Sequence, residues 1–172
     1  MAPSEQEESP FDIQLDIDEV SQVLPGYAGF GHPDERRASD EALRAHLVDA
    51  LRDLLRHLVS LEVHLSRVGP VHLHERLRGV QGEIETLFDR IQAAPYSFSP
   101  LFTFETLPED VQRTMLRCDR EVIGAAKRAY ELLEITLTPG SDFGAVVDSA
   151  KQAAASLDAA LEQRLSAIME VN

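Results

Sequence analysis

Apolar residues recur along most of the chain at alternating intervals of four and three positions, which is the spacing of one face of an α-helix. The runs lie near 40–68, 71–93, 107–137 and 141–170. Gly69 and Pro70 separate the first two runs, and a Thr-Pro-Gly triplet ends the third; both are signals that stop helices. The pattern therefore predicts four helices and an all-α fold.

Each predicted helix carries one apolar seam. The seam residues, in chain order, are Leu47, Leu51, Leu54, Leu58, Leu61, Leu65 and Val68; Leu73, Leu77, Val80, Ile84, Leu87 and Ile91; Val111, Met115, Cys118, Val122, Ala125, Ala129, Leu132 and Thr136; and Phe143, Val147, Ala150, Ala154, Leu157, Leu161 and Ile168. We expect these seams to form the core, because a helix buries its apolar stripe against another helix.

The seams match each other when neighbouring helices are paired antiparallel. Residues that face each other across such a pair have numbers with a constant sum. For the third and fourth predicted helices this sum is 279, which places Ala129 against Ala150, so that small residues meet small ones. Two such hairpins predict an antiparallel four-helix bundle over 40–172. In the alternative, Gly69-Pro70 is a kink within one long helix, and the chain dimerises to complete its core.

The first 39 residues differ from the rest in composition. They contain seven acidic residues and no basic one before Val20, followed by a glycine- and proline-rich stretch. This composition predicts a flexible, acidic and largely non-helical N-terminal arm over 1–39. Two patterns overlap within the arm, because Phe11, Ile13, Leu15 and Ile17 alternate as in a strand, whereas Ile13, Ile17, Val20 and Leu24 fit one helical face.

A long aromatic loop is predicted between the second and third helices, over 94–106. It carries Tyr96, Phe98, Phe102 and Phe104, and it is longer than the roughly 2 to 8 residues that usually connect helices in bundles. The arm and this loop together hold seven of the ten aromatic residues. A bundle that needed them only for its own core would carry them on its helices.

Charge excludes some functions. Thirty acidic against sixteen basic side chains give a net charge of -14, which disfavours nucleic acid as a partner. The sequence has no apolar run near the roughly 20 residues that span a membrane and no signal peptide, so no membrane partner and a cytoplasmic location are expected. The single Cys118 agrees with a reducing compartment. Fourteen arginines against two lysines hint at a bacterial origin.

Four of the six histidines fall in one stretch, at His57, His64, His72 and His74. They suggest an alternative function, either metal binding or histidine phosphotransfer. The sequence contains no Glu-x-x-His repeat of the kind that dinuclear helical bundles use. His74 opens a segment, HERLRG, that resembles the motif of histidine phosphotransfer domains, although Gly79 lies five residues after the histidine instead of four. No cofactor is expected.

Basic residues line the outer face of the third predicted helix, at Arg113, Arg117, Arg120 and Lys127. The acidic residues of the arm, Asp12, Asp16, Asp18 and Glu19, are their natural complement. Exposed ion pairs contribute only about 0 to 1 kcal/mol each, so apolar residues would supply most of any docking energy. The alternative is an unattached arm above an ordinary charged helix.

These features favour a non-enzymatic protein–protein interaction module, such as an adaptor, a chaperone-like subunit or an assembly component. No convergent set of catalytic groups can be placed on facing helices. The partner is expected to be a protein of unknown identity, and a homodimer is as well supported as a monomer. The predicted contact residues are Phe11, Ile13, Leu15, Ile17, Tyr96, Phe98, Phe102, Phe104, Arg113, Arg117, Arg120 and Lys127.

The alternating patterns of the arm and the aromatic loop predict one further contact. Both FDIQLDI and SPLFTFET could pair as a short two-stranded patch, within one chain or with a partner. In the competing interpretation, the loop aromatics cap one end of the helical core.

Overall fold

The computed structural model describes residues 10–135, 138 and 140–171, and for 10–12 and 68 it describes the backbone only. This part of the chain contains five α-helices and no strand. The helices are α1 (Pro10–Val23), α2 (Pro33–Val68), α3 (Val71–Ala93), α4 (Glu109–Leu133) and α5 (Phe143–Glu170), with one 3-10 turn at Pro100–Phe102. The predicted all-α fold is confirmed.

The helix boundaries follow local signals in the sequence. α3 spans 71–93, the residues that the apolar spacing indicates, whereas α2 starts at Pro33 instead of near 40. Pro33 occupies the first helical position, where a proline loses no hydrogen bond. The Glu35 carboxylate accepts a 2.9 Å hydrogen bond from the backbone N–H of His32, which further fixes this start.

The prediction of a largely non-helical arm is wrong for 10–23, which form α1, and for 33–39, which belong to α2. The helical pattern prevails over the strand pattern because it buries Val20 and Leu24 in the same core as the seams of the later helices. Residues 1–9 of the arm lie outside the described residues. Gly29 adopts a φ of +82° in the turn that follows α1, where a side chain would collide with Ile17.

The predicted seams supply most of the core. All six seam residues of α3 are buried, as are the leucines of the α2 seam. The main helix contacts of α2 are with α3 and α4, and those of α5 are also with α3 and α4. Arg76 pairs with Asp148 and Arg90 with Asp158, so residue numbers rise together along α3 and α5. These two helices therefore run parallel.

The aromatic loop lies across the end of the molecule at which α2 and α4 begin and α3 and α5 end. Tyr96 contacts Asp40 near the start of α2, and Ser99 contacts Ile168 near the end of α5. The loop contains a 3-10 turn, and neither it nor the arm forms a strand within the described residues. The predicted two-stranded patch is therefore wrong within one chain, because α1 satisfies its backbone hydrogen bonds internally, and pairing with a partner stays a prediction.

Candidate functional site

An ion pair is buried beneath the aromatic loop. Arg164 of α5 donates from Nε to Oδ1 of Asp119 in α4 at 2.6 Å, and both residues are almost completely buried. The second carboxylate oxygen of Asp119 accepts a 2.7 Å hydrogen bond from the hydroxyl of Tyr27. The arginine and the tyrosine thus satisfy both oxygens of this carboxylate. Burial, followed by the charge of Asp119, raises the pKa of Tyr27 far above its usual range.

The polar network continues to the surface through Asp40 of α2. Oδ1 of Asp40 lies 3.0 Å from Nη2 of Arg164 and accepts a hydrogen bond of 3.0 Å from the hydroxyl of Tyr96. Nε of Arg44 donates to its other oxygen at 2.8 Å. Burial opposes the charge of Arg164, but Asp119 and Asp40 outweigh it and raise the pKa of the guanidinium. Burial also raises the pKa of Tyr96, to about 12.

A second buried arginine, Arg36, joins the turn after α1 to the aromatic loop. Its side chain has no exposed surface, and it makes five hydrogen bonds, which match the five N–H donors of a guanidinium. The acceptors are the backbone carbonyls of Phe30, Gly31, Leu101, Phe104 and Glu105. Burial lowers the pKa of Arg36, although nearby acidic residues oppose this effect. The two non-helical segments thus meet through a side chain that binds their backbones.

Further hydrogen bonds fix the aromatic loop on the helix ends. Ser99 Oγ donates to the carbonyl of Ile168 at 2.8 Å and accepts from the N–H of Leu101 at 3.2 Å. Arg37 donates to the carbonyl of Phe102 at 2.7 Å. The loop is therefore bonded to α5 on one side and to the start of α2 on the other.

The four predicted aromatic contact residues divide into two pairs. Phe102 is buried and stacks on the half-buried Tyr96 with ring centroids 6.2 Å apart, so these two cap the core as the competing interpretation proposed. Phe98 is 91% exposed and Phe104 is 41% exposed. Met169, which follows the Ser99 partner Ile168, is also exposed. This end of the molecule therefore exposes apolar side chains to solvent. Two of them, Phe98 and Phe104, lie on a loop that hydrogen bonds attach to the ends of the helices.

The predicted contact residues of α1 are also divided. Ile13 and Ile17 pack against the core, whereas Leu15 is half exposed. Val23 at the end of the same helix is exposed as well. The Phe11 side chain lies outside the described residues. Only the solvent-facing side of α1 is therefore available for contacts with another molecule.

One residue of the basic stripe binds the acidic helix α1. Arg120 pairs with Asp16, and its Nη2 lies 3.2 Å from Oε2 of Glu19. α1 is thus docked on α4 by polar contacts as well as by its buried apolar face.

Two further residues of the stripe form ion pairs within α4. Arg113 pairs with Glu109, Lys127 lies 3.9 Å from Glu131, and Arg117 is exposed. Glu109 and Glu131 belong to α4 itself, and both pairs have the i,i+4 spacing of ordinary surface pairs on a helix. The ion pairs of the predicted stripe thus involve both α1 and other residues of α4.

The histidine stretch is distributed along two helices. His57 and His64 lie on α2, and His72 and His74 lie in the first turn of α3. No group of three His, Cys, Asp or Glu side chains in the described part of the chain is arranged to hold a metal ion. Nε2 of His57 is buried without a hydrogen-bond partner among the described residues. Burial raises the pKa of the Cys118 thiol, which disfavours a reactive thiolate.

Sequence reasoning missed Asp119, Arg164 and Arg36. On a helical wheel they look like surface charges, because single-residue patterns do not reveal partners 45 or more positions away. One weak signal existed, since Asp119 follows the seam residue Cys118 and Arg164 lies one turn beyond the seam residue Leu161.

None of the described helices is long and apolar enough to cross a membrane. Comparison of the chain with protein-family models, curated proteins and solved structures found no match.

Proposed function

We propose that the protein is a non-enzymatic protein–protein interaction module, an adaptor or assembly component that binds a partner chain through the exposed side of its aromatic loop. One observation carries this proposal. Phe98 is 91% exposed, although the loop backbone around it is held by buried hydrogen bonds. Burying a phenylalanine contributes about 1.5–3 kcal/mol, which the isolated chain does not gain at this position.

The fixed backbone supports binding with little ordering cost. Arg36 holds the carbonyls of Leu101, Phe104 and Glu105, and Ser99 holds the end of α5. A contact residue on a preordered loop loses less conformational freedom on binding than one on a disordered loop. Aromatic side chains presented in this way are frequent energetic centres of interfaces.

The arrangement of the four long helices explains why the aromatic loop is long and why it lies over one end of the core. We propose that α2, α3, α5 and α4 form the corners of a four-helix bundle made of two antiparallel hairpins, in that order around the ring, because each contacts its two neighbours in this order. α3 and α4 are then diagonal to each other, so the connection between them must cross the whole end of the bundle. A crossing of this kind needs a longer loop than a hairpin does, and it carries aromatic residues over the open end of the core.

The exposed side of α1 extends the proposed surface. Leu15 and Val23 are both exposed, and the acidic residues of α1 give this side a negative charge. A partner with apolar side chains and a basic rim fits both features. The partner could be a different protein or a second copy of this chain.

The experiment places the photo-crosslinking analogue p-benzoylphenylalanine at position 98 in cells that make the protein. The same analogue at Glu85, an exposed position on α3, is the matched control. We expect a discrete crosslinked species from position 98 that is absent from position 85 and weakened by Phe104→Ser. A second copy would appear as a species of twice 19.1 kDa. The absence of any crosslink at 98, or identical crosslinks at both positions, would reject the proposal.

A further inference from the structure

A narrow cleft opens beneath the aromatic loop, between α2, α3 and α5. Its apolar walls come from Leu43 and Leu47 of α2, Ile91 of α3, and Leu161 and Leu165 of α5. Five aliphatic side chains from three helices thus converge on one space near the end of the molecule. Sites for small molecules in helical proteins are commonly built in this way, between helices and mostly from apolar groups.

The size of the cleft limits what it can hold. About 480 Å³ of space lies between the walls of the cleft, and this volume includes open solvent at its mouth. Only about 50 Å³ of it is far enough from side-chain atoms to hold the centre of a water molecule. The space is therefore thin, and it suits a single hydrocarbon chain better than a ring system.

The polar part of the cleft has one sign of charge. Arg44, Arg90 and Arg164 line it together with the phenol of Tyr96, and none of its lining residues is acidic. Each of these arginines also pairs with at least one acidic residue: Arg44 with Asp40, Arg164 with Asp40 and Asp119, and Arg90 with Asp158 and Glu162. The acidic partners of these arginines, such as Asp40 and Asp158, do not line the cleft. An anionic group in the cleft would therefore meet cations first.

Two of the three arginines keep N–H groups that have no hydrogen-bond acceptor. Nη2 of Arg164 is buried and makes no hydrogen bond, although it lies 3.0 Å from Oδ1 of Asp40 as an ion pair. Among the described residues, Arg44 donates one hydrogen bond, from Nε to Asp40, so both of its Nη groups remain without an acceptor. A buried donor without an acceptor is unfavourable, so an acceptor placed at Nη2 of Arg164 would be bound favourably. The Arg44 side chain is partly exposed, so its Nη groups are accessible to the same acceptor.

We infer that this cleft binds a small amphipathic carboxylate, with its hydrocarbon chain between the leucines and its carboxylate at Arg44 and Arg164. A carboxylate supplies two acceptor oxygens for guanidinium N–H groups, and such charge-assisted bonds are strong in partly buried surroundings. This site is separate from the surface proposed for protein partners, since Phe98 does not line the cleft.

Calorimetric titration of the full-length protein with sodium octanoate tests this inference. Octyltrimethylammonium and 1-octanol, which carry the same chain with a cationic and a neutral head, are the comparison probes. We expect octanoate to bind with a stoichiometry of one and at least ten times more tightly than either probe. Carbon-13 methyl spectra should place the largest shifts on Leu43, Leu161 and Leu165.

Two arginine variants locate the carboxylate. Arg44→Gln should weaken octanoate binding at least fivefold and leave 1-octanol binding unchanged. Arg52→Gln is the matched control, because Arg52 lies on the same helix and also pairs with an acidic neighbour but does not line the cleft. Both side chains are partly exposed, so both variants should fold, which thermal melting checks. The inference fails if octanoate binding does not saturate, if the three probes bind equally, if the shifts lie elsewhere, or if the two variants behave alike.

Discussion

The hydroxyl of Tyr27 donates a 2.7 Å hydrogen bond to Oδ2 of Asp119, a residue 92 positions later in the chain. The bond ties the turn after α1 to the middle of α4, and it supplies one of the two partners of a carboxylate that has no exposed surface. Without it, the second oxygen of Asp119 would be buried without a donor. The N-terminal segment is therefore part of the polar core, and its removal would affect more than its own apolar contacts.

Tyr27→Phe should lower the free energy of unfolding by about 1–3 kcal/mol, because the substitution leaves Oδ2 of Asp119 without its donor while it preserves the ring. Urea denaturation of the two proteins measures the difference. Tyr130→Phe is the control, since Tyr130 contacts His46 with its ring and should change the value by much less. A similar loss in both variants would contradict the role of the hydroxyl.

Arg164→Met should destabilise the protein by about 3–5 kcal/mol, because it leaves Asp119 buried without its cationic partner. Asp119→Asn tests the coupling, since it removes the charge that Arg164 balances. In a double-mutant cycle, the double variant should be less destabilised than the sum of the two single variants by roughly 0.5–3 kcal/mol. Additive losses would mean that the two side chains stabilise the protein independently.

Arg36→Lys keeps the charge but replaces five directed N–H donors with three on a single atom. We expect the loss of at least two of the bonds to backbone carbonyls and faster amide hydrogen exchange at Leu101 and Phe104, with a lower free energy of unfolding. Arg52→Lys, on the exposed part of the same helix, controls for the substitution itself. Unchanged exchange in the aromatic loop would show that Arg36 does not hold it.

Periodicity in the sequence predicted the apolar core far better than the polar one. The seam of α3 contains the six residues that are buried in the structure, because burial on a helix repeats with a period that a single chain displays. The start of α2 at Pro33 was not predicted, because a proline at the end of a glycine- and proline-rich stretch is also typical of a loop. Arg36 and Arg164 were missed because nothing local distinguishes a buried arginine from an exposed one, and their acceptors come from distant segments.

Apolar contacts should hold α1 in place more strongly than its ion pairs do. Leu24→Ala removes a residue that is 1% exposed and should cost about 2–5 kcal/mol, whereas Arg120→Gln should cost less than about 1 kcal/mol, since Arg120 and its partners are all partly exposed. Denaturation in urea gives both values, and hydrogen exchange along 13–23 reports whether α1 detaches. Equal losses in the two variants would assign the docking to charge.

Stability should fall at alkaline pH through the ionisation of the buried phenols. Burial raises the pKa of Tyr96 from its ordinary value of 10.0 to about 12, although Arg164 opposes the shift. A phenol whose pKa is raised on folding contributes stability that is fully present below pH 10.0 and is lost as the pH rises toward 12, because the unfolded chain releases its proton first. The difference in unfolding free energy between the natural protein and Tyr96→Phe should therefore be constant from pH 7 to 9 and shrink between pH 10 and 12. Tyr130→Phe leaves Tyr27 and Tyr96 as the two tyrosines of the chain. In this variant, absorbance at 295 nm, which reports phenolate, should stay low at pH 10.5 while the circular dichroism remains native, and it should rise when urea unfolds the chain. Phenolate absorbance at pH 10.5 in this folded variant would show that Tyr96 and Tyr27 are not buried in the network with Asp40 and Asp119.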